Sequence, residues 1–254
     1  MAQAKARGDV YTPEELARFN LDLEERAPRD VLRWAVDRFF PGLTVACSFG
    51  GPSGMVLVDM IAGVEPRVEV FYLDPDFLFP ETYDTRDRVI ERYGIQPVAY
   101  KSRLTPEQQA QEHRPELWLT NPDLCCQLRK VEPNARALEG KRAWISGIRR
   151  DQGATRVDVP IVQWDDKFGL VKVNPLARWT EADVWAYIVK HDVPYNPLHD
   201  RNYPSIGCTY CTKAVLPGDD PRSGRWQGQD KTECGIHMPE GPIPVTRGDE
   251  ATGS

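Results

Sequence analysis

The chain has 254 residues, of which 41% are hydrophobic and 28% are charged, and its net charge is −6 at pH 7. This length and composition are typical of a soluble globular protein, and no apolar run is long enough to span a membrane. The acidic balance argues against a nucleic-acid-binding protein, so an anionic ligand would require a local basic site.

The N-terminal segment begins with basic residues but lacks the apolar stretch of a secretory signal. We therefore expect a cytoplasmic protein that does not enter a membrane. In that compartment disulfides are uncommon, and clustered cysteines more often indicate metal or redox chemistry.

Helices and strands alternate along the chain. Thr12, Pro13 and Glu15 form a capping-box pattern at the start of a first helix, and an amphipathic pattern predicts a second helix over residues 28–40. The remaining predictions are strands at 43–48, 67–74, 96–100 and 142–147, helices after the first two strands, two strands around a turn within 159–176, and a helix at 180–191. This alternation predicts an α/β fold, with a parallel twisted sheet flanked by helices.

Three regions follow from this pattern. Residues 1–40 are predicted to form N-terminal helices, and residues 41–215 a single α/β domain that carries the ligand sites. Residues 216–254 are rich in proline, glycine and charge near their start, which predicts a flexible C-terminal segment.

A glycine-rich stretch, "SFGGPSG" at residues 48–54, lies between the first predicted strand and the helix after it. Backbone N–H groups at such a helix start can bind an anion, and open α/β sheets bind ligands at the carboxyl ends of their strands. The stretch lacks the Gly-Lys-Ser/Thr ending of a Walker A loop. A plain strand-to-helix turn is the alternative.

Four of the six cysteines occur in two close pairs. Cys125 and Cys126 are adjacent, and Cys208 and Cys211 form a C-x-x-C pair. Four thiolates suit an iron–sulfur cluster or a structural zinc ion, and C-x-x-C also occurs in redox-active dithiols. Buried thiols without a ligand are the remaining interpretation.

Cys234 lies in the C-terminal segment within "TECGIHMPEG", three residues before His237. A thiolate is a strong nucleophile, and nearby positive charge lowers the pKa of its thiol. Taken alone, a cysteine near a histidine is more often without function. Cys47, inside the first strand, is interpreted as a small core residue.

Basic residues follow the fourth strand and the cysteine pair. Arginine forks bind phosphate or sulfate through two parallel hydrogen bonds, although surface ion pairs are the ordinary alternative. The candidates are Lys130, Arg149, Arg150, Arg156, Arg222 and Arg225.

In combination, "CC" followed by "RK", "GIRRDQ…TR", "PYNPLHDRNYPSIGC", "CTYC" and "ECGIH" resemble the assimilatory sulfonucleotide reductases, from roughly Phe39 to His237. The paired cysteines are typical of the iron–sulfur branch, the adenylyl-sulfate reductases. The branch that reduces 3′-phosphoadenylyl sulfate usually lacks these cysteines but keeps the ECG(I/L)H tail. The resemblance implies an adenine nucleotide alpha hydrolase-like fold.

The resemblance also implies a reaction. Cys125, Cys126, Cys208 and Cys211 would ligate a 4Fe–4S cluster. Cys234 would attack the sulfur of adenosine 5′-phosphosulfate (APS), release AMP and carry an S-sulfocysteine, which thioredoxin or a similar dithiol would reduce to sulfite. The cluster is expected to tune charge rather than to pass electrons to sulfur. The sequence is compatible with a homo-oligomer but does not specify an oligomeric state.

The implied substrate-binding residues lie in the glycine loop, after the second strand, at the basic positions and in the tail. They are Ser48, Gly50, Gly51, Ser53, Leu73, Asp74, Lys130, Arg149, Arg150, Arg156, Arg222, Arg225 and His237.

The chain departs from the family pattern at two places. "LDPD" replaces the usual "LDTG", with Pro75 and Asp76, and the glycine loop carries Pro52 and Gly54. The S-G-G-x-D-S motif of related ATP pyrophosphatases is absent, because Ser53 and Gly54 stand at its last two positions. That absence disfavours ATP-dependent adenylation and tRNA thiolation. The open alternatives are a reductase of 3′-phosphoadenylyl sulfate (PAPS), an enzyme that accepts both nucleotides, and a non-catalytic, metal-stabilised nucleotide-binding protein.

Overall fold

A computed structural model describes residues 11–237 of the chain. Its centre is a six-stranded sheet in the order β3-β2-β1-β4-β6-β5. All neighbouring strands run parallel except β5, which is antiparallel to β6. The strands are β1 Leu43–Ala46, β2 Glu69–Asp74, β3 Val98–Lys101, β4 Ala143–Ile145, β5 Val162–Asp165 and β6 Leu170–Val173. The prediction of an α/β fold is confirmed, and the two strands expected within 159–176 form the antiparallel edge.

Helices flank the sheet, and several of them begin at a proline, whose missing N–H would be unpaired at a helix start anyway. The predicted capping box at Thr12 and the cap at Thr180 with Asp183 are both present. The α-helices are α1 Pro13–Leu23, α2 Pro28–Phe39, α3 Pro52–Val64, α4 Pro80–Tyr93, α5 Pro106–Glu112, α6 Leu117–Thr120, α7 Pro122–Cys126, α8 Glu132–Leu138 and α9 Glu181–His191.

The alternation of side chains along each strand divides the core between two clusters. In β4, Ala143 and Ile145 belong to a large cluster that also contains residues of α1, α2, α3 and α9. Trp144 belongs to a smaller cluster with Phe71 and with Leu138 of α8. Because successive strand residues point to opposite faces, helices cover both faces of the sheet. The N-terminal helices therefore share the core of the α/β domain.

The segment between β3 and β4 contains four short α-helices and one π-helix, Gln127–Val131. None of these elements was predicted from the sequence, because each is too short to show a clear helical period. The predicted N-terminal and C-terminal regions extend beyond the described residues, at 1–10 and 238–254. Within residues 11–237, no helix combines the length and apolar character that crossing a membrane requires.

The chain order explains where a ligand site can form. After β1 the chain adds β2 and β3 on one side, and it then returns to place β4 on the other side of β1. Crossover loops therefore diverge above β1 and β4, which opens a crevice at the carboxyl ends of these strands.

Candidate active site

A cavity of about 450 Å³ opens at the carboxyl ends of β1, β2 and β4. Residues that directly follow these strands line it, among them Ser48, Pro75 and Gly147. The C-terminal segment closes another side, because Glu233, Cys234 and His237 also line the cavity. The cavity thus joins the predicted nucleotide loop and the predicted nucleophile in one site.

The glycine loop forms the wall next to β1. Ser48 Oγ accepts hydrogen bonds from the backbone N–H groups of Gly50 and Gly51, each at 3.4 Å. His199 Nε2 lies 2.9 Å from the Gly50 carbonyl oxygen, and this bond ties the loop to the segment after α9. Ser48, Gly50, Gly51 and Ser53 all line the cavity, as the resemblance implies.

Of the two adjacent arginines after β4, only one lines the cavity. The buried Arg149 lines the cavity, where its Nη1 donates to Ser53 Oγ at 2.5 Å and its Nε pairs with Asp151 at 2.9 Å. The structure does not bring Arg150 to the cavity, because its guanidinium forms a fork with Glu24 of the loop after α1. Arg150 therefore ties the sheet to the N-terminal helices and does not line the cavity.

The two residues at the end of β2 also differ in whether they line the cavity. Leu73 lines the cavity, but Asp74 does not. The buried Asp74 carboxylate accepts hydrogen bonds from the Tyr83 hydroxyl at 2.8 Å and from the Asp76 backbone N–H at 2.9 Å. Asp74 thus organises the turn after β2 rather than a ligand contact.

The unusual Asp76 has a structural role. Its φ of 61° is in the left-handed region, which Asp tolerates better than most residues. Its carboxylate pairs with Lys101 at 2.5 Å and with Arg129 at 3.2 Å. The Arg129 guanidinium is fully buried over the Phe77 ring. Asp76 therefore balances a buried cation next to the cysteine pair, so the extra carboxylate does not repel a nucleotide in the cavity.

The four paired cysteines converge on a second, smaller cavity. Cys125, Cys126, Cys208 and Cys211 all line it, together with Trp226 and others. A β-bridge between Leu78 and Cys208 holds the C-x-x-C loop against the turn after β2. Among residues 11–237, no group of three potential ligands is arranged to hold one metal ion. The four cysteines nevertheless line one small cavity.

Burial makes the thiols of Cys125, Cys126 and Cys211 hard to ionise without a compensating cation. Burial raises the pKa of the Cys125 thiol to about 11, and the neighbouring Cys208 and Cys211 sulfurs add to that effect. Burial likewise raises the pKa of Cys126 and Cys211. A metal centre that holds thiolates would supply the missing positive charge.

Lys130 lies between the two cavities and lines both of them. It belongs to the π-helix that directly follows Cys126, and π-turns are frequent at functional sites. Burial would lower the pKa of its ammonium group, but the sulfurs of Cys208, Cys234 and Cys126 raise it above the usual range. Lys130 thus carries a positive charge between the cysteine cluster and the predicted nucleophile.

Cys234 is held at the cavity by its neighbours in the tail. Glu233 bridges two cavity arginines, with 2.7 Å to Arg156 and 3.1 Å to Arg222. Lys167 donates to the Gly235 carbonyl oxygen at 2.6 Å. Residues on both sides of Cys234 are therefore anchored, and Cys234 lines the cavity together with Arg156 and Arg222.

His237 completes this wall. Its imidazole stacks on the buried Trp144 ring, with centroids 5.7 Å apart and planes 8° from parallel, and Lys172 Nζ lies 3.3 Å from its Nδ1. Burial lowers the pKa of His237 well below its usual value, and the cations Lys172, Arg156, Arg222 and Lys167 lower it further. Burial also lowers the pKa of Lys172 to about 8.

We expect His237 to remain neutral at pH 6.5, with its proton on Nε2 and with Nδ1 accepting from Lys172. An unfolded histidine titrates near pH 6.5, so the unfolded chain binds the extra proton first as the pH falls. The stability that His237 contributes is therefore present above about pH 6.5 and is lost below it. Nitrogen NMR of the imidazoles tests this, with His237→Gln to identify the signal. An imidazolium signal from His237 at pH 6.5 would contradict it.

Sequence reasoning missed several residues of the site. Lys172 and Trp144 were counted only as strand residues, and Lys167 and Glu233 were not singled out. Lys172 carried a usable signal, because a lysine between two valines in a strand that is buried on both faces must find an acceptor or a site. Lys167 carried no such signal, since only folding brings it to Gly235. Glu233 precedes Cys234 in the sequence, but nothing local indicates that it pairs with Arg156 and Arg222.

The fold and the cavity define a doubly wound α/β protein with a basic ligand cavity at its topological switch point and a cysteine-rich site beside it. The chain belongs to the phosphoadenosine phosphosulfate reductase domain family, whose model matches residues 42–214. This match confirms the resemblance seen in the sequence.

Relatives of known name support the same family. A protein of Shouchella clausii named adenosine 5′-phosphosulfate reductase is 51% identical over 221 residues, which cover 87% of this chain and 91% of the relative. A protein of the same name from Salinibacter ruber is 45% identical over 228 residues, covering 89% and 90% of the two chains.

Among solved structures, phosphoadenylyl-sulfate reductase from Candida auris, a phosphate complex, has a TM-score of 0.73 and 35% identity, over 82% of this chain and 100% of that one. FMN adenylyltransferase from Candida glabrata has a TM-score of 0.55 at 14% identity, over 92% and 79% of the two chains, and shares the fold alone.

Proposed function

We propose that this protein reduces adenosine 5′-phosphosulfate to sulfite and AMP in sulfate assimilation, with thioredoxin or a similar dithiol as the reductant. The observation that supports this most is a single cavity lined by Cys234 and by the cations Lys130, Arg156 and Arg222. The names of the relatives from Shouchella clausii and Salinibacter ruber point to the same substrate.

The first step is a displacement at sulfur. The Cys234 thiolate attacks the sulfonate sulfur, the bond from sulfur to the bridging oxygen breaks, and AMP leaves with the electron pair. The sulfonate remains on Cys234 as S-sulfocysteine. Because thiolate and substrate are both anionic, the approach is unfavourable unless cations offset the repulsion, which is the role we give to Lys130, Arg156, Arg222 and Arg225.

The second step consumes the dithiol. One thiolate of the donor attacks Cys234 Sγ, and sulfite leaves with the electrons of the S–S bond. The second thiol of the donor then resolves the mixed disulfide and restores the Cys234 thiolate. The donor supplies two electrons and becomes a disulfide. A cytoplasmic compartment suits this cycle, because dithiol donors are kept reduced there.

We propose that Cys125, Cys126, Cys208 and Cys211 hold a 4Fe–4S cluster. Each iron of such a cluster takes one thiolate, and four cysteines line this one cavity. When bound, the cluster supplies a fixed local charge next to Lys130. A single zinc ion would instead need all four sulfurs about 2.3 Å from one point.

A second candidate substrate is 3′-phosphoadenylyl sulfate. The observation in its favour is the Candida auris structure, whose printed name is that of a PAPS reductase and which is 35% identical to this chain. The cysteine quartet favours the adenylyl-sulfate branch. A third possibility is a non-catalytic nucleotide-binding protein in which Cys234 is inert.

Sulfite release by the anaerobically purified protein tests the proposal. The assay combines reduced thioredoxin with APS or with PAPS at equal concentration. We expect a higher kcat/KM for APS. A preference for PAPS would keep the chemistry and overturn the substrate, and no sulfite from either nucleotide would overturn the proposed activity.

A further inference from the structure

The side chain of Asn134, which lines the cavity, has a buried hydrogen-bond donor without a partner among the described residues. Asn134, in α8, is 1% exposed and lines the cavity. Its Nδ2 is buried, and no described residue accepts a hydrogen bond from it. A buried amide without a partner destabilises a fold, so such a group needs an explanation in a ligand or in the reaction.

The surroundings of Asn134 make the missing bond more costly. Ala137 and Leu138, one turn further along α8, belong to the smaller core cluster with Phe71 and Trp144. Phe71 and Trp144 also line the cavity that Asn134 lines. The carboxamide thus belongs to a helix whose next turn packs in an apolar cluster, and an unmade hydrogen bond is costly in such surroundings.

The position of Asn134 relative to Lys130 indicates what it binds. Asn134 follows Lys130 by four residues along the run from the π-helix into α8, and both residues line the cavity. The ligand near Lys130 must be anionic to suit the surrounding cations. A carboxamide can turn its NH₂ group or its oxygen toward a ligand, because the two ends exchange by rotation of the terminal amide.

We infer that Asn134 is a substrate-binding residue that donates a hydrogen bond from Nδ2 to a phosphosulfate oxygen of the bound sulfonucleotide. This inference rests on the proposed function and names a further residue of the same site. Asn134 holds the anionic group next to Lys130 and contributes a neutral donor, so it fixes orientation without adding charge. In the ligand-free protein the same group is a local cost to stability.

The test uses the cluster-loaded Cys234→Ser protein, which binds substrate without consuming it. Dissociation constants for APS and for AMP are measured in this parent and after the added change Asn134→Leu. We expect APS to bind at least about 10-fold more weakly in the Asn134→Leu protein. The melting temperature without ligand should stay equal or rise, because an unpartnered buried amide is removed.

Asn20→Leu is the matched control. The Asn20 carboxamide is satisfied at both ends, by donating to the Leu16 and Val162 carbonyl oxygens and accepting from the Val162 N–H. The same change there should lower the melting temperature and leave the dissociation constant for APS unchanged.

The outcomes separate the inference from the proposed function. Weaker binding of APS alone locates the contact on the sulfonate, and equal weakening of AMP locates it on the nucleotide phosphate; both support the inference. An unchanged APS dissociation constant overturns it, as does weaker binding with a melting-temperature loss as large as that of Asn20→Leu. If the parent protein binds neither nucleotide, the proposed function itself fails and the inference with it.

Discussion

Replacing Cys234 by serine is expected to lower sulfite release from APS by at least about 10³-fold, because a serine hydroxyl provides no comparable nucleophile at neutral pH. Iron content and the visible absorption of the protein should be unchanged, since Cys234 lines the substrate cavity and not the smaller cysteine cavity. Sulfite assays with reduced thioredoxin, together with iron analysis of the same samples, measure both effects.

Cys47→Ala is the matched control for this prediction. Cys47 also lines the substrate cavity, but burial raises the pKa of its thiol to about 12, so it remains a protonated core residue. The Cys47→Ala protein should keep most of its sulfite release. Activity near the wild-type level in Cys234→Ser would show that another group is the nucleophile.

The second large effect is expected at the cysteine quartet. Cys208→Ser should remove most of the iron and sulfide from the purified protein, because a four-iron cluster needs a thiolate on each iron. It should also lower sulfite release strongly, since the charge next to Lys130 disappears together with the order of the C-x-x-C loop. Iron and sulfide analysis and visible spectroscopy after anaerobic purification provide the readout.

Two results would contradict the cluster. One zinc ion per chain in place of iron would mean that the quartet is a structural zinc site. Full iron content in Cys208→Ser would mean that this residue is not a ligand. Cys234→Ser serves as the control that a cysteine outside the quartet leaves the iron in place.

Much of the fold followed from local patterns. The strands at 43–46 and 69–74 and the helix caps at Thr12 and Thr180 were expected, because apolar runs and capping boxes are signals within a few residues of each other. The short helices between β3 and β4 were not expected. α8 packs on β2 and β3, and Trp118 of α6 stacks on Tyr210 of the C-x-x-C loop, and no local window contains such contacts.

The site likewise contains features that the sequence predicts and features that depend on the folded chain. The cysteine pairs, the glycine loop and the arginines could be named from spacing and from the family resemblance. The direction of each side chain could not. Arg149 and Arg150 are adjacent, yet one lines the cavity and the other pairs with Glu24, because consecutive residues point to different sides of the backbone.

Asp76 and Asn134 illustrate what remains hidden in a sequence. The role of Asp76 depends on the buried Arg129, which lies far from it in the sequence. The Asn134 Nδ2 atom lacks an acceptor because of how the described residues pack around it. Neither feature is visible in a local stretch of sequence.

The intact mass of the anaerobically purified protein, after exposure to APS or PAPS without any reductant, tests the central claim most directly. We predict a gain of one sulfonate group with APS, located on the peptide that contains Cys234 and absent from Cys234→Ser. No gain with either nucleotide, in protein that still holds its iron, would contradict the covalent mechanism and favour a protein that binds nucleotides without reducing them.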